Sequence, residues 1–490
     1  MRLLFLAEPG LLPQCDTPVL LTRWYATQYQ IRPLTLPHPE LNDNEPLVND
    51  ITMELFTVNR FIAQLPALTS QPVAVPLSSK HVYSAHHDLY YESDKRNHKP
   101  IVEMFLALES TRPDAASIIA KRIWVSGIED KLSALKYSFT MIGGNVKIYP
   151  NQTGLTIMLA CPDSLLMTLL ADVLAIVQEP LLLIGNFTAL HQQQIDKITQ
   201  RRPLTAYESA FSQLSAMLCQ QPTFYEYHQM EALHALNAQQ VSDYHQGFFA
   251  SCYGEALIFG NASKANLEHI NTTLQQLTRV PKPAPSNALH QPKERLILTH
   301  STFSNSCFVT LLLTQDKTLK ATILSMVLAE VLAEPFFERF RQDLQIGYDI
   351  GSGFITHQQH PGISFYLNYS HHSALSIYQY QIEFFTQMRL ALHQFAPHWP
   401  VIKQSLCHQL STQPLGFSQQ AQYIWMQMGR LGGIEHDTKL VKELHAMEFA
   451  EFLAFSLDLL DMGGNHCIFS VSAQPTDASI AQLKEHILST

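Results

Sequence analysis

Arg341 and Tyr348 are the two residues of this sequence whose types and spacing best suit substrate binding and catalysis. Arginine presents a fork of N–H donors to carbonyl or carboxylate oxygens, and a phenol can donate a hydrogen bond to a developing oxyanion. Pro335 is expected to end one helix and to begin the next at its first position, which places Arg341 at a helix end. Ile346, Tyr348 and Ile350 are expected to share one face of the strand that follows. The two side chains can therefore converge on one extended ligand.

The residues around this pair are expected to hold it in place and to leave room for a ligand. An apolar stripe on the helix is formed by Phe336, Phe337 and Phe340. Three glycines follow it, at Gly347, Gly351 and Gly353. Glycine in a strand removes a side chain where another backbone could approach closely. The structural alternative is that Arg341 is a solvated charge at a helix end and Tyr348 is a half-buried strand aromatic.

Histidine is plentiful, but its spacing predicts no metal site in this chain. The sequence has 23 histidines and contains neither H-x-x-E-H nor H-E-x-x-H. The adjacent pairs His86-His87 and His371-His372 would point to opposite faces of a strand and cannot share a metal. His357 and His360 have usable spacing, but we place them in a loop without a nearby carboxylate. Zinc sites require three or four ligands, so we interpret these histidines as surface or hydrogen-bonded residues.

Prolines and glycines divide the chain into segments. Residues 1–31 are predicted to form strands at Leu3–Leu6 and Val19–Gln30, and the proline-rich residues 32–76 are predicted to be a connector. A second proline-rich stretch, 280–291, is the predicted linker between units at 77–279 and 292–490. Strands and helices in these units do not alternate as regular βαβ motifs, which favours an α+β fold.

The two units resemble copies of one pattern, offset by about 210 residues. Each has a strand, a long apolar helix that ends near Tyr137 or Tyr348, a strand pair and a second helix. The predicted strands are Ile101–Leu108 and Cys307–Leu313, the strand pairs surround Gly154 and Gly362, and the second helices are Ser164–Val177 and Leu375–Met388. In a gapless alignment on the two tyrosines, Arg341 matches Asp130. Only the second copy has the Arg/Tyr pair, which a purely architectural role would not need.

Composition limits the class of protein. The formal net charge of −10 and the pI near 6.1 argue against nucleic-acid binding, which normally needs a basic face. Seven scattered cysteines without a C-x-x-C motif predict free buried thiols. No apolar stretch approaches the roughly 18 residues of a membrane span, and the apolar run near Met1 is too short for a signal peptide. The sequence as written is expected to be cytoplasmic, or periplasmic if a true N-terminus precedes it.

Two segments resemble the pitrilysin/insulinase family of metallopeptidases. Trp24-Tyr-Ala-Thr-Gln-Tyr29 is similar to the family's W-Y-x-T-Q-Y segment at the end of its second domain. The stretch Glu334–Tyr348 is similar to the family's E-P-x-F-x-x-L-R-x-x-x-Q-L-G-Y, with Phe340 and Ile346 in place of the two leucines. The resemblance covers nearly the whole chain, from the end of the second domain through the third and fourth.

The resemblance implies a fold and a function. Residues 1–31 would be end strands of an upstream second domain, and 77–279 and 292–490 would be two homologous α/β-layer domains that form one bowl-shaped half of a peptidase chamber. Arg341, Gly347 and Tyr348 would bind the substrate, and Tyr348 would also stabilise the tetrahedral intermediate. No metal or cofactor is expected in this chain, and zinc is expected in an N-terminal half or a separate homologous subunit.

The expected partners are therefore that zinc-bearing half or subunit and peptide substrates, with no nucleic acid and no membrane. The chain would be the C-terminal half of a zinc-dependent metalloendopeptidase that acts on short or unfolded peptides and is inactive alone. The alternatives are a non-catalytic interaction subunit that pairs with a zinc-bearing homologue, or a peptide-binding protein.

Overall fold

The computed structural model divides the chain into two compact units, Met1–Val58 and Asn59–Thr490. In the first unit the structure describes two short strands, β1 (Leu20–Leu21) and β2 (Gln28–Tyr29). In the second unit the described residues are 59–62, 80–96, 99–110, 114–151, 153–179, 182–200, 204–218, 226–283, 295–300, 305–461, 467–474 and 477–489. The predicted strand Leu3–Leu6, nearly all of the predicted connector and most of the predicted linker lie outside the described residues.

The prediction of one continuous strand over Val19–Gln30 is wrong. Leu20 pairs with Tyr29 and Leu21 with Gln28 in antiparallel register, so the two ends of this stretch lie side by side. A continuous strand cannot pair with itself, because successive residues advance by about 3.3 Å along one direction.

The described strands of the second unit form two sheets. The strands are β3 (Lys80–Tyr83), β4 (His87–Glu92), β5 (Ile101–Ser110), β6 (Asn145–Pro150), β7 (Gly154–Pro162), β8 (Cys252–Gly260), β9 (Leu296–His300), β10 (Ser306–Leu313), β11 (Ile350–His357), β12 (His360–Tyr369) and β13 (Cys467–Ala473). The first sheet has the order β3-β4-β8-β5-β7-β6, and the second has the order β11-β12-β10-β13-β9. Each sheet is antiparallel except for one parallel pair, β4 with β8 and β13 with β9.

Helices flank both sheets. Those before the predicted linker are α1 (Ala115–Thr140), α2 (Asp163–Val177), α3 (Leu182–Thr199), α4 (Ala206–Leu218), α5 (Glu226–Ala235), α6 (Ala238–Ala250) and α7 (Lys264–Leu277). Those after it are α8 (Leu319–Phe337), α9 (Ala374–Ala391), α10 (Trp399–Ser411), α11 (Phe417–Met428), α12 (His436–Ala446), α13 (Phe449–Leu459) and α14 (Ile480–Ser489). Sheets with helices packed against them, in the order seen here, make this an α+β fold, as predicted.

The first core lies between the first sheet and α1. Asp114 caps this helix, because its carboxylate accepts a hydrogen bond from the amide of Ser117 at 2.6 Å. Trp124 is fully buried in the middle of the helix, and its ring lies 5.1 Å from that of Phe248 on α6. Large buried aromatic side chains contribute much of the free energy of such cores, because each removes a large apolar area from water.

The second core lies between the second sheet and α8. Thr318 caps α8 by accepting a hydrogen bond from the amide of Ala321 at 3.1 Å. The helix is apolar on most of its surface, as expected for one buried between a sheet and other helices. Phe336 and Phe365, on α8 and β12, are both fully buried with ring centroids 5.0 Å apart. These contacts fix the position of the helix that leads to Arg341.

The face of each sheet that lies opposite its core is covered by a helix from the other side of the predicted linker. Helix α4, which precedes the predicted linker, packs on the second sheet, where the hydroxyl of Ser470 donates to the carbonyl of Ala210 at 2.8 Å. Helix α11, which follows the linker, packs on the first sheet, where Trp425 stacks on Phe105 at 5.4 Å. Each sheet is therefore buried on both faces only when both segments are folded. The predicted boundaries at 77–279 and 292–490 remain predictions.

The element predictions within the two units are largely confirmed. The strands at Ile101–Leu108 and Cys307–Leu313 and both strand pairs are present, with strand ends shifted by one or two residues. The second helices are present as α2 and α9. The prediction that the first long helix ends near Tyr137 is wrong, because α1 continues to Thr140 and stops before Gly143, where φ is +77°. The left-handed conformation there ends the helix, and glycine adopts it without steric cost.

The cysteines follow the prediction where they are described. Cys161, Cys252, Cys307 and Cys467 are free and buried, and Cys407 is free and half-buried. Burial raises the pKa of the Cys467 thiol to about 12, and the neighbouring Arg295 only partly offsets this rise. Cys15 and Cys219 lie outside the described residues. None of the described helices is long and apolar enough to cross a bilayer.

Candidate functional site around Arg341 and Tyr348

The helix that carries Arg341 does not break at Pro335. Helix α8 passes through Pro335 and continues into a π-helical turn, Glu338–Asp343, so the predicted stop and restart at this proline is wrong. Proline removes one backbone donor and usually bends or ends a helix. Here the rings of Phe336 and Phe340, which both follow the proline, are fully buried with centroids 4.5 Å apart, and they hold the helix against the sheet. The wider π turn is the local adjustment that follows the proline.

The predicted apolar stripe is divided between core and surface. Phe336 and Phe340 are fully buried, and the Phe340 ring lies 5.6 Å from that of Phe384 on α9. Phe337 is 44% exposed, so the three phenylalanines of the predicted apolar stripe do not share one buried face. Neighbouring residues on a helix point about 100° apart, so Phe336 and Phe337 cannot both face the sheet. Phe337 is instead exposed one turn before Arg341.

After the π turn the chain reverses within a few residues. The amide of Leu344 donates to the carbonyl of Arg339 and the amide of Ile346 to that of Phe340, both at 3.0 Å. Gln345 has a φ of +51°, which is uncommon for a residue with a side chain. Ile346 is buried in the second core, and this burial holds the reversal in place. The segment that follows is therefore presented at a fixed position beside the helix end.

Arg341, Gly347 and Tyr348 come together at this reversal. The Arg341 Nη1 donates a hydrogen bond to the Gly347 carbonyl at 2.9 Å, and its Cζ lies 4.0 Å from the centre of the Tyr348 ring. A guanidinium over an aromatic face is attracted by the ring quadrupole. The Tyr348 side chain is nevertheless 89% exposed, and its hydroxyl donates to no described residue. A guanidinium and a phenol are therefore presented together at the surface.

The strand prediction for Tyr348 is wrong. Strand β11 begins at Ile350, so Tyr348 lies in the segment before it rather than on a strand face beside Ile346 and Ile350. The stack on Arg341, not a sheet face, positions the phenol. The physical reason is the reversal at Gln345, which uses the residues that would otherwise extend the strand.

The three glycines have different surroundings. A Cβ at Gly347 would lie 2.1 Å from the Asn368 carbonyl oxygen, and one at Gly351 would lie 2.7 Å from the Tyr366 ring. The chain's own atoms fill both places, so neither leaves room for a ligand. At Gly353 no atom lies within 4 Å of the Cβ position. The prediction of space for another backbone therefore holds at Gly353 alone.

Tyrosines and an aspartate lie beside the site on the α4 side of the sheet. Tyr207 on α4 packs edge-on against Tyr366 at 4.8 Å. Burial raises the pKa of the Tyr366 phenol, and the nearby carboxylate of Asp349 raises it further. Both phenols therefore stay neutral at physiological pH, and they act here as packing and hydrogen-bonding groups.

The first copy of the repeat has no equivalent pair among its described residues. Tyr137 is helical and 62% exposed, whereas Tyr348 follows its helix, so the gapless alignment that matched Arg341 with Asp130 does not correspond to equivalent positions. Gly143 precedes β6 by the same two residues by which Tyr348 precedes β11. Asp130 instead lines an open cavity of about 590 Å³ between α1, α3 and β6.

The histidines predicted to lie in a loop are at the ends of two paired strands. His357 and His360 pair across the β11–β12 hairpin, whose turn residues Gln358 and Gln359 both have positive φ. That combination is the two-residue hairpin geometry that matches the twist of the strands. His360 Nδ1 donates to the carbonyl of Thr314 at 3.0 Å, and burial lowers the pKa of both histidines. Among the described residues there is no group of three histidine, cysteine, aspartate or glutamate side chains that fits a metal ion.

Two protein-family models match the chain. Residues 4–232 match the middle or third domain of peptidase M16, and residues 327–425 match domain 4 of the C-terminal lobe of PQQ synthase PqqF-like proteins. No curated protein sequence matches.

Solved structures show the same fold at low sequence identity. Pitrilysin matches with a TM-score of 0.70 and 14% identity over 83% of this chain. A peptidase M16 inactive domain from Pseudomonas fluorescens matches with a TM-score of 0.59 and 12% sequence identity, over 82% of this chain and 98% of its own length. The ferredoxin protease FusC, solved with Arabidopsis ferredoxin, matches with a TM-score of 0.60 and 10% sequence identity, over 82% of this chain and 47% of its own length. This chain spans 45% of the length of pitrilysin.

The fold and these matches identify an α+β protein that is built from M16-type domains. The chain belongs to the M16 family of peptidases, and its domains correspond to the C-terminal half of an insulinase-like member.

Proposed function

We propose that this chain is the C-terminal half of a zinc-dependent metalloendopeptidase that cleaves short or unfolded peptides. Arg341 and Tyr348 would contact the substrate from this half, with Gly347 beside them. The observation that supports this proposal most is the exposed stack of the Arg341 guanidinium on the Tyr348 ring, in a chain of this family. A guanidinium can hold main-chain carbonyls of an extended peptide, and a phenol can donate to the oxyanion that forms at the scissile carbon.

The zinc ion is proposed to reside outside this chain. No described group of side chains fits it, and the sequence has no H-x-x-E-H, so no step through zinc is assigned to these residues. Zinc in the N-terminal half or in a separate homologous subunit would polarise the scissile carbonyl. We therefore expect the 490-residue chain alone to bind peptides without cleaving them.

A second candidate is a non-catalytic interaction subunit that closes on a zinc-bearing homologue. The observation that favours it is the match over 98% of the length of a structure described as a peptidase M16 inactive domain. A tag at the C-terminus of the chromosomal gene separates the two candidates. A band near 55.5 kDa on a denaturing blot would favour the separate subunit. A band about twice as heavy would favour one long peptidase.

The test of the site uses the isolated chain and a fluorescein-labelled, proline-free 12-residue peptide of mixed sequence. Arg341→Ala is expected to weaken binding by about tenfold or more, since a hydrogen bond to a charged group contributes roughly 1.5–3 kcal/mol. Arg339→Ala is the matched control. This arginine lies in the same π turn and interacts with Asp343 at 3.7 Å and with Glu383 at 4.0 Å, so we expect less than a twofold change.

A third variant distinguishes substrate binding from stabilisation of the oxyanion. Tyr348→Phe is expected to keep peptide affinity within about threefold, because a contact to the oxyanion forms only in the transition state. Equal effects of Arg341→Ala and Arg339→Ala would contradict the assignment of the site. Zinc-dependent hydrolysis of the peptide by the pure chain would contradict the proposed division of labour between the two halves.

A further inference from the structure

Strand β11 lies at one edge of the second sheet and follows directly after Arg341 and Tyr348. It pairs with β12 on one side, and no described strand pairs with its other side. An unpaired edge presents a row of backbone N–H and C=O groups to any extended chain that reaches it. The eight residues Ile350–His357 are long enough to pair with a peptide of similar length.

The ladder with β12 determines which backbone groups point outward. The amide of Asn368 donates to the carbonyl of Asp349 at 3.0 Å, so Asp349 directs its backbone groups toward β12. Backbone direction alternates along an antiparallel strand, and every second residue therefore faces away from the partner. The outward residues are Ile350, Ser352, Phe354 and Thr356. No described side chain bonds to the backbone of these four residues.

The equivalent edge of the first sheet is closed by a side chain. Its edge strand β6 directs the amide of Ile148 outward, and Glu129 on α1 accepts this hydrogen bond at 3.0 Å. Lys136 in turn holds the carboxylate of Glu129. Strand β6 also ends in Pro150, which has no donor. Proteins commonly protect edge strands with charged side chains and proline. On β11 the structure describes neither protection.

The surroundings of β11 suit a peptide main chain. Gly353 has no atom within 4 Å of its Cβ position, so a neighbouring strand could approach there without a steric clash. Residues 351–355 are all partly exposed. Arg341 lies at the beginning of the strand and uses one donor on the Gly347 carbonyl, while a guanidinium has five N–H donors. The remaining donors can reach carbonyl oxygens at the end of a peptide that lies along β11.

We propose that β11 binds an extended peptide as an additional strand of the second sheet, with the peptide main chain bonded to the outward groups of Ile350, Ser352, Phe354 and Thr356. This inference rests on the proposed function and deepens it, because the peptide that reaches Arg341 and Tyr348 would be the substrate. Recognition through the main chain is tolerant of sequence and requires an extended ligand. Short or unfolded peptides fit this requirement, and folded domains do not.

The test removes one outward donor without disturbing the ladder to β12. Ser352→Pro deletes the outward amide, and proline is tolerated on an edge strand where its nitrogen faces solvent. Ser352→Ala is the matched control, because it keeps the amide and removes a buried hydroxyl that has no described partner. Thr356→Pro repeats the test at an exposed position. With the labelled 12-residue peptide, each proline variant is expected to bind about fivefold more weakly, and Ser352→Ala is expected to bind like the wild type.

Two further measurements do not depend on the variants. Hydrogen exchange in the segment 349–357 is expected to slow at up to four amides when the wild-type chain binds the peptide. Two peptides are compared, one N-methylated at the odd positions and one at the even positions. One of them is expected to lose affinity, because its methyl groups replace the amides that face β11, and the other is expected to keep it. Light scattering on the free chain tests whether a second copy occupies the edge instead of a peptide.

The outcomes separate this inference from the proposed function. Binding that depends on Arg341 but is unaffected by Ser352→Pro, Thr356→Pro and N-methylation would overturn the added strand and leave the proposed site standing. Absence of peptide binding would overturn both. Slow exchange of the outward amides of Ile350, Ser352, Phe354 and Thr356 without peptide, or a dimer that Ser352→Pro dissociates, would show another occupant on the edge and overturn the inference.

Discussion

Glutamine in place of Glu103 is expected to stabilise the protein at neutral pH and to have no stabilising effect near pH 4.5. Glu103 lies on β5, where α11 covers the first sheet, and it is fully buried. Neither carboxylate oxygen has a described hydrogen-bond partner of normal geometry. A buried carboxylate without a partner is strongly disfavoured, so the group is expected to take up a proton instead.

The magnitude follows from the titration of this group. Burial raises the pKa of Glu103 above its ordinary value of 4.5, and the Ser418 hydroxyl and the Lys147 charge only partly lower it. The folded state then binds more protons than the unfolded state, so the associated stability is present below pH 4.5 and is lost as pH rises through the folded pKa. Each pH unit corresponds to about 1.36 kcal/mol, which limits the cost at pH 7 to about 3.4 kcal/mol. A buried glutamine amide also costs free energy where its hydrogen bonds are incomplete, so we expect a net gain of about 1–2 kcal/mol.

The assay compares thermal midpoints of the wild type and Glu103→Gln at pH 8 and pH 5. The variant is expected to melt at a higher temperature at pH 8, and the difference is expected to shrink or vanish at pH 5. Glu268→Gln is the control, because Glu268 is 62% exposed and pairs only at the surface with Lys264. A stabilisation that does not change with pH, or a variant less stable than the wild type at pH 8, would refute the reasoning.

Two further substitutions test how the site and the domain contact are built. Gly347→Ala is expected to lower both the thermal midpoint and the affinity for the labelled peptide, because its Cβ would lie 2.1 Å from a backbone carbonyl oxygen of β12. Gly353→Ala is the control and is expected to leave the thermal midpoint unchanged, because no atom lies within 4 Å of its Cβ position. Equal effects of the two substitutions on the midpoint would contradict the described packing. Ser470→Ala is expected to reduce the free energy of unfolding by about 1 kcal/mol through loss of its buried bond to α4. Ser472→Ala is the matched control, since that buried hydroxyl has no described partner, and a larger loss there than at Ser470 would contradict the assignment.

Local sequence determined most of the secondary structure. Apolar periods and flanking turn residues predicted β5, β10, both hairpins, α2 and α9, because these signals arise within a few residues of each other. The same signals failed at Pro335 and at Tyr348. A proline normally indicates a helix end, but the buried contacts of Phe336 and Phe340 with distant parts of the chain keep the helix intact through a π turn.

Sequence also placed Arg341, Gly347 and Tyr348 in one candidate site, and tertiary structure decided how they are arranged. The stack of the guanidinium on the phenol depends on the reversal at Gln345, which no local pattern predicts. The exchange of α4 and α11 between the two sheets joins residues as far apart as Ala210 and Ser470, so it could not follow from periodicity. Sequence by itself determined the elements and the residues able to do chemistry. Only the tertiary structure decided which surfaces are covered and that no described strand pairs with the outer side of β11, because these depend on contacts between segments far apart in the chain.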